Sequence, residues 1–281
     1  MKLHTIDTGF FKLDGGAMFG VVPKTMWQKL NPPDANNMCT WAMRCLLIED
    51  GKQLILVDCG IGNKQDDKFF GHYDLHGDAT LQSSLNKLGF GVDDITDVLL
   101  THLHFDHCGG AIAKDSNGTS YPAFKNATYW SNAKHWEWAT KPNAREKASF
   151  LKENILPIQE SGQLKFAESG STELNPNIQL HTVSGHTESM FIPHIKTGDK
   201  TVVYMADLLA SAAHIPVPYV MAYDTRPLLT LDEKKTFLDT AVANNYILYF
   251  EHDPVNECCN LVNTEKGVRA GEVGTISQFV D

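Results

Sequence analysis

Four side chains able to ligate a metal fall within six residues of the run Thr101-His102-Leu103-His104-Phe105-Asp106-His107-Cys108-Gly109-Gly110. Alternation along an extended segment puts His102 and His104 on one side of the chain. The turn into Gly109-Gly110 is expected to let Asp106 and His107 swing toward a second position nearby. Three more candidates stand apart: His186 after Ile178 to Val183, Asp207 after Thr201 to Met205, and His252 after Tyr246 to Phe250. Each lies just past an apolar run, the position from which separate strands converge on one edge of a sheet. Imidazole and carboxylate suit borderline divalent ions such as zinc, and two sets of such ligands suit a two-metal site. Such a site lowers the pKa of water to about 7, so the expected chemistry is hydrolysis of an electrophilic carbonyl or phosphoryl centre.

The elements that must position these groups read as alternating strands and helices. Leu54-Ile55-Leu56-Val57 is a short apolar run ending at Asp58 and Gly60, as for a buried strand followed by a turn. Val98-Leu99-Leu100 reads the same way. Asp78 is expected to cap a helix whose apolar residues Leu81, Leu85 and Leu88 share a face, with Gly89 as its stop. In the second half, strands are expected at Ile178 to Val183, Met190 to Ile195, Thr201 to Met205 and Tyr246 to Phe250. Thr230 and Glu233 have the spacing of a capping box opening a helix through Val242. Sheets packed together with helices outside follow from this order, in one domain over residues 1–281.

Two segments fit no regular pattern. Residues 10–40 mix Gly, Pro and Asn with Phe10, Phe11, Met18, Phe19, Met26 and Trp27. They are expected to form a long loop excursion that packs its own aromatics, or else walls a pocket or a dimer contact. Residues 211–228 are the second, with His214, Tyr223 and Arg226.

Composition narrows the partners. The 281 residues carry a formal net charge of −10, with 42% hydrophobic and 21% charged residues. That acidity leaves no basic excess for nucleic-acid phosphates or an anionic membrane surface. No apolar run approaches the roughly 20 residues of a bilayer span. The first residues lack a signal-peptide apolar region, so a cytoplasmic setting is expected. Cys39, Cys45, Cys59, Cys108, Cys258 and Cys259 show no CxxC spacing and are expected as reduced thiols.

The run His102 to His107, followed in order by His186, Asp207 and His252, resembles the metallo-β-lactamase superfamily over nearly the whole chain. The resemblance implies an αββα sandwich, two mixed sheets flanked by helices, with two divalent ions per chain, expected as Zn2+, at one sheet edge. It implies His102, His104 and His186 on the first ion, Asp106, His107 and His252 on the second, and Asp207 bridging them. A hydroxide shared by the ions would be the nucleophile, and Asp106 would pass a proton to the leaving group. Asp58 matches the "LVDxG" turn that braces the metal-bearing loop.

A finer similarity is to acyl-homoserine-lactone lactonases, the quorum-quenching branch. It rests on the HLHFDH run, on Gly15 to Lys24, on Ala206 to Leu209 and on Glu251 to Pro254. The implied substrate is a small lactone or ester, with Phe19, Met26 and Trp27 as an apolar trough for an acyl tail. One departure stands out: the branch carries a Tyr three residues after the bridging Asp, and this chain has Ala210. His214 is the first choice to take over that catalytic role, and Tyr223 the second. A homodimer through residues 10–40 is a further implication.

Alternatives within the fold are an organophosphate or aryl-ester hydrolase, which shares the ligands. Glyoxalase II-like thioester hydrolysis lacks its C-terminal helical segment here, and persulfide dioxygenase chemistry needs fewer ligands. Outside enzymes, a catalytically silent metal-binding interaction protein is the other class. His4, His72, His76, His135, His181 and His194 show no spacing that requires a function, and Trp136 with Trp138 is expected to pack a surface helix.

Overall fold

The computed structural model describes residues 1–280. In chain order the strands are β1 (Lys2–Asp14), β2 (Met38–Asp50), β3 (Gln53–Val57), β4 (Asp97–Leu99), β5 (Ile112–Lys114), β6 (Ser120–Pro122), β7 (Thr128–Ser131) and β8 (Leu164–Phe166). The second half adds β9 (Ile178–Val183), β10 (Met190–Thr197), β11 (Lys200–Tyr204), β12 (Ile247–Tyr249), β13 (Cys258–Thr264) and β14 (Gly267–Gly274). One sheet runs β1-β2-β3-β4-β7-β8 and the other β14-β13-β12-β11-β10-β9, with β5-β6 a separate hairpin. Both large sheets are mixed. β3, β4, β7 and β8 pair in parallel, as do β11 and β12, and the remaining neighbours are antiparallel.

Strand alternation decides which side chains meet. On β3, Ile55 and Val57 face the second sheet and join Leu99, Leu180, Phe191, Val202, Tyr204 and Tyr249 in the sandwich interior. Leu56 faces the other way, with Leu47, Val98 and Tyr129, against the outer helices. These chains are fully buried, each a stabilisation of about 1.5–3 kcal/mol by area removed from water.

The helices are α1 (Gly15–Phe19), α2 (Lys24–Trp27), α3 (Asp67–Phe70), α4 (Leu81–Lys87), α5 (Phe105–Cys108), α6 (Ala133–Thr140), α7 (Lys152–Glu160), α8 (Pro227–Ala243) and α9 (Ile276–Val280). Leu85 of α4, Trp136 of α6 and Ile155 and Ile158 of α7 cover the first sheet. Phe237, Leu238 and Ala241 of α8 cover the second. The layering is αββα. Among the described residues no helix is long and apolar enough to cross a membrane.

Three expectations are corrected here. Residues 10–40 are not one loop: β1 continues to Asp14, whose side chain accepts from Ala17 N and caps α1, and α2 follows. The bulge between Asp7 and Phe10 breaks the period of β1, which hid the strand. The cap of α4 is Thr80, not Asp78, in a reciprocal pair with Ser83. Thr230 lies inside α8, which starts at Pro227, and Glu233 instead accepts from Ser184 N and Gly185 N.

Candidate metal centre

The strand ends deliver their polar residues to one edge of the sandwich. β3 leads to Asp58, β4 into His102 and α5, β9 to His186, β11 to Asp207 and β12 to Glu251 and His252. Asp106 and His107 sit on α5, so a helical turn aims them rather than the glycines. Gly109 and Gly110 serve a close approach: a Cβ on either would lie 2.0–2.1 Å from the carbonyl oxygens of Ile61 and Cys59. Asp58 (φ 58°) and Ala206 (φ 42°) hold left-handed backbone beside the site, a strain of about 1–3 kcal/mol each.

Two groups of ligand atoms form. His102 Nε2 and His186 Nε2 lie 3.1 and 3.2 Å from His104 Nδ1, and Asp207 Oδ2 lies 3.0 Å from His186 Nε2. His107 Nε2 and His252 Nε2 lie 3.2 Å apart, each 3.8 Å from Asp106 Oδ2. Asp207 joins them, with Oδ2 3.5 Å from His107 Nε2 and Oδ1 3.2 Å from His252 Nε2. Ligands on a tetrahedral zinc with bonds of about 2.0–2.1 Å stand about 3.4 Å apart, so the spacing suits a divalent ion in each group.

The outer nitrogens decide which lone pairs face inward. His252 Nδ1 donates to Ala42 O at 2.8 Å, and His186 Nδ1 to Asp224 Oδ1 at 2.9 Å. His107 Nδ1 faces Asp58 Oδ2 at 3.1 Å and Glu251 Oε2 at 2.9 Å. Thr101 Oγ1 donates to Asp58 Oδ2 at 2.6 Å, which leaves it to accept from His102 Nδ1 at 3.1 Å. Glu146 Oε1 stands 3.6 Å from His104 Nε2. Five imidazoles therefore turn lone pairs toward one another and toward buried carboxylates. Facing lone pairs have no hydrogen to share, and Asp207 Oδ1 has no hydrogen-bond partner. The donor set fits divalent cations, and the outer partners orient the rings: carboxylates beside His104, His107 and His186, Ala42 O for His252 and Thr101 Oγ1 for His102. Asp58, His107 and Glu251 also cluster, but through the outer nitrogen of His107, so that cluster orients a ligand.

The charges agree. Burial lowers His186 and His252, but Asp207 outweighs it, raising them to about 10 and about 9. Burial likewise opposes the charged form of His107, yet Glu251, Asp106 and Asp207 hold it well above the ordinary range. In the bare chain these carboxylates draw protons onto imidazoles, and a divalent ion on the same nitrogens supplies the same positive charge. Burial pushes Glu251 up to about 7 against the pull of His107. Glu146 falls to about 2: burial opposes ionisation, while His104, Thr187, Trp138 and Asn143 favour it.

A cavity of about 270 Å³ opens over these groups. Leu13, Met18, Phe105, Met221, Ala222 and Tyr223 line it with Arg145, Glu146 and Ser149, beside His104, Asp106, His186, Asp207 and His252. Of the three residues expected as a trough, none lines it. Phe19 and Trp27 are buried and stacked, centroids 5.2 Å apart and planes within 7°. Met26 faces an outer groove with Leu30. His214 is also away from the cavity. It stacks on Phe19 at 4.7 Å, accepts from Ser211 Oγ at 2.9 Å and donates to Met18 O at 2.9 Å, so both nitrogens are spent on structure. Burial lowers it to about 4, which keeps it neutral. Tyr223 does line the cavity.

Several residues with a role here carried no sequence signal. Glu146 and Asp224 lie in irregular segments with no spacing to a ligand. His135 accepts from Leu103 N at 2.8 Å and donates to Glu188 O at 2.6 Å, holding the ligand loop between His102 and His104. Phe105 stood inside the motif, and its place between two ligands was the one available sign that it faces the cavity.

An αββα sandwich with histidines and aspartates gathered at one sheet edge defines a metal-dependent hydrolase. Residues 44–252 match the metallo-beta-lactamase superfamily, and the chain belongs to it. It is similar to N-acyl homoserine lactonase AiiA of Bacillus thuringiensis subsp. kurstaki, 27% identical over 267 residues, covering 90% of this chain and 93% of that protein. Among solved structures, a probable metal-dependent hydrolase from Staphylococcus aureus superposes with a TM-score of 0.88 at 28% identity, covering 97% and 95% of the two chains. AidC, a dizinc quorum-quenching lactonase in complex with its product, shares the fold with a TM-score of 0.77 at 22% identity, covering 98% and 95%.

Proposed function

We propose that this protein is a two-metal hydrolase that opens lactone rings, with N-acyl homoserine lactones as its substrate class and Zn2+ as the ions. One observation carries the reading: two adjoining ligand groups face a cavity whose other walls are mostly apolar. A lactone carbonyl needs the first feature and an acyl tail the second. The similarity to proteins named as N-acyl homoserine lactonases supports it. A homodimer and a cytoplasmic setting belong to the same proposal.

Divalent ions held by His102, His104, His186, Asp106, His107, His252 and Asp207 supply a Lewis acid for the carbonyl and a water activated near neutral pH. The chain does the rest. Met18, Leu13, Phe105 and Met221 exclude water from the acyl chain. The carboxylate of Asp106 takes up the proton released as water adds to the carbonyl and hands it to the departing alkoxide of the ring. Tyr223 takes the place that Ala210 leaves empty. Burial raises its phenol above the ordinary range, so it stays protonated and donates to the substrate.

Tyr223→Phe should lower kcat/KM for an acyl lactone about tenfold, the scale of one lost hydrogen bond. An unchanged kcat/KM removes Tyr223 from the mechanism. The reading as a whole is tested on the metal-loaded protein by mass spectrometry of lactone reactions. A product heavier by one water, formed with release of one proton, is expected. Intact lactone at high enzyme concentration counts against it.

A further inference from the structure

Helix α8 places a lysine in its buried stripe. Thr230, Lys234, Phe237, Leu238 and Ala241 face inward at helical spacing, and Lys234 is only 1% exposed. Its Nζ donates to three backbone carbonyls, those of His214 at 2.7 Å, Tyr219 at 2.7 Å and Pro216 at 3.2 Å. Burial drives its pKa down to about 7, and Asp224, the one carboxylate favouring its charge, acts without a hydrogen bond. An ammonium without an ion-pair partner is costly to bury, and an apolar side chain at 234 would fill the core at lower cost. What the lysine adds is the geometry of residues 214–219.

That segment runs directly into Met221, Ala222 and Tyr223, which line the cavity. It also reaches the opposite wall. His214 Nε2 donates to Met18 O, and Ala222 N donates to Ala17 O at 2.8 Å. The fit there is tight, since a Cβ on Gly20 would lie 2.5 Å from Val220 O. Lys234 thus ties α8 to both apolar walls while lying outside the cavity lining.

We infer that Lys234 is a positioning residue that sets the apolar walls of the cavity and hence the affinity for long acyl chains. The inference rests on the lactonase reading for its substrate. It requires the ammonium as a donor to three carbonyls, not as a filler of volume, so an uncharged residue with N–H donors should replace it in part.

The test compares Lys234→Met and Lys234→Gln with the unmodified protein, all metal-loaded, on a butanoyl and a decanoyl homoserine lactone. In Lys234→Met the KM for the decanoyl substrate should rise about tenfold, with kcat and the butanoyl KM within about twofold. Lys234→Gln should keep a decanoyl KM between those of Lys234→Met and the unmodified protein. Amide hydrogen exchange should quicken over residues 211–223 and stay unchanged over 102–107. An equal rise in both KM values, or a uniform rise in exchange, overturns the inference, as does Lys234→Gln faring no better than Lys234→Met. If Lys234→Met does not fold, the same KM ratio and exchange contrast in Lys234→Gln decide. If the unmodified protein opens no lactone, the lactonase reading fails, and the exchange contrast still decides the role of Lys234.

Discussion

Replacing Asp207 with alanine is expected to abolish lactone opening and to lower bound metal below two ions per chain. Asp207 is the one carboxylate adjacent to both ligand groups, with Oδ2 3.0 Å from His186 Nε2 and Oδ1 3.2 Å from His252 Nε2. Loss of a partner that merely orients a ligand costs about 10–100-fold in metal affinity or activity. Removing the shared ligand itself should cost more than about a hundredfold in kcat/KM by that comparison. Burial opposes ionisation of Asp207, but His186, His252 and His107 hold it well below the usual carboxylate range. Without it, those nitrogens face one another with no anion between them. Elemental analysis and kcat/KM on the same preparation check this. Two ions retained, with activity within tenfold, would show that Asp207 is not a shared ligand.

The second large effect belongs to Asp58, which touches no cavity. It is fully buried and accepts from Thr101 N at 2.8 Å, Thr101 Oγ1 at 2.6 Å and His107 Nδ1 at 3.1 Å. Asp58→Ala strands those donors and leaves the left-handed backbone to a residue less suited to it. Removing one partner from a buried charged network costs about 3–5 kcal/mol. One effect runs the other way. Asp58 helps burial to hold Glu251 up at about 7, so its loss eases ionisation of Glu251, which already faces His107 Nδ1 at 2.9 Å. That compensation places the expected loss near the lower end, about 3 kcal/mol, with metal affinity down about 10–100-fold. Denaturant unfolding of the chelated protein separates the two terms. A loss under about 1 kcal/mol would mean that Asp58 does not brace the loop.

The side chains that gather at the sheet edge as candidate ligands were readable in the sequence because each requirement was local. One run holds four of them, and three more follow apolar strands whose length and composition mark them. The same strands pointed to packed sheets with helices outside, and the αββα order itself came from the superfamily resemblance. β1 was not readable, because Gly9 and the bulge beside it interrupt its alternation. The trough failed for a different reason. Phe19, Trp27 and His214 are large and close in sequence to plausible walls, but Phe19 stacks on both of the others, His214 lying 195 residues further along the chain, and so they spend their surfaces internally. Residues that orient ligands, Glu146 and Asp224, act through contacts whose partners lie about 40 residues away, where no periodicity points to them.

The central claim, a two-metal lactonase, is tested most directly by kcat/KM of the metal-loaded protein for short- and long-chain acyl homoserine lactones beside paraoxon-type phosphotriesters. The expected result is a lactone exceeding every triester by more than about tenfold, with activity lost on chelation and restored by Zn2+. A triester exceeding every lactone would contradict it.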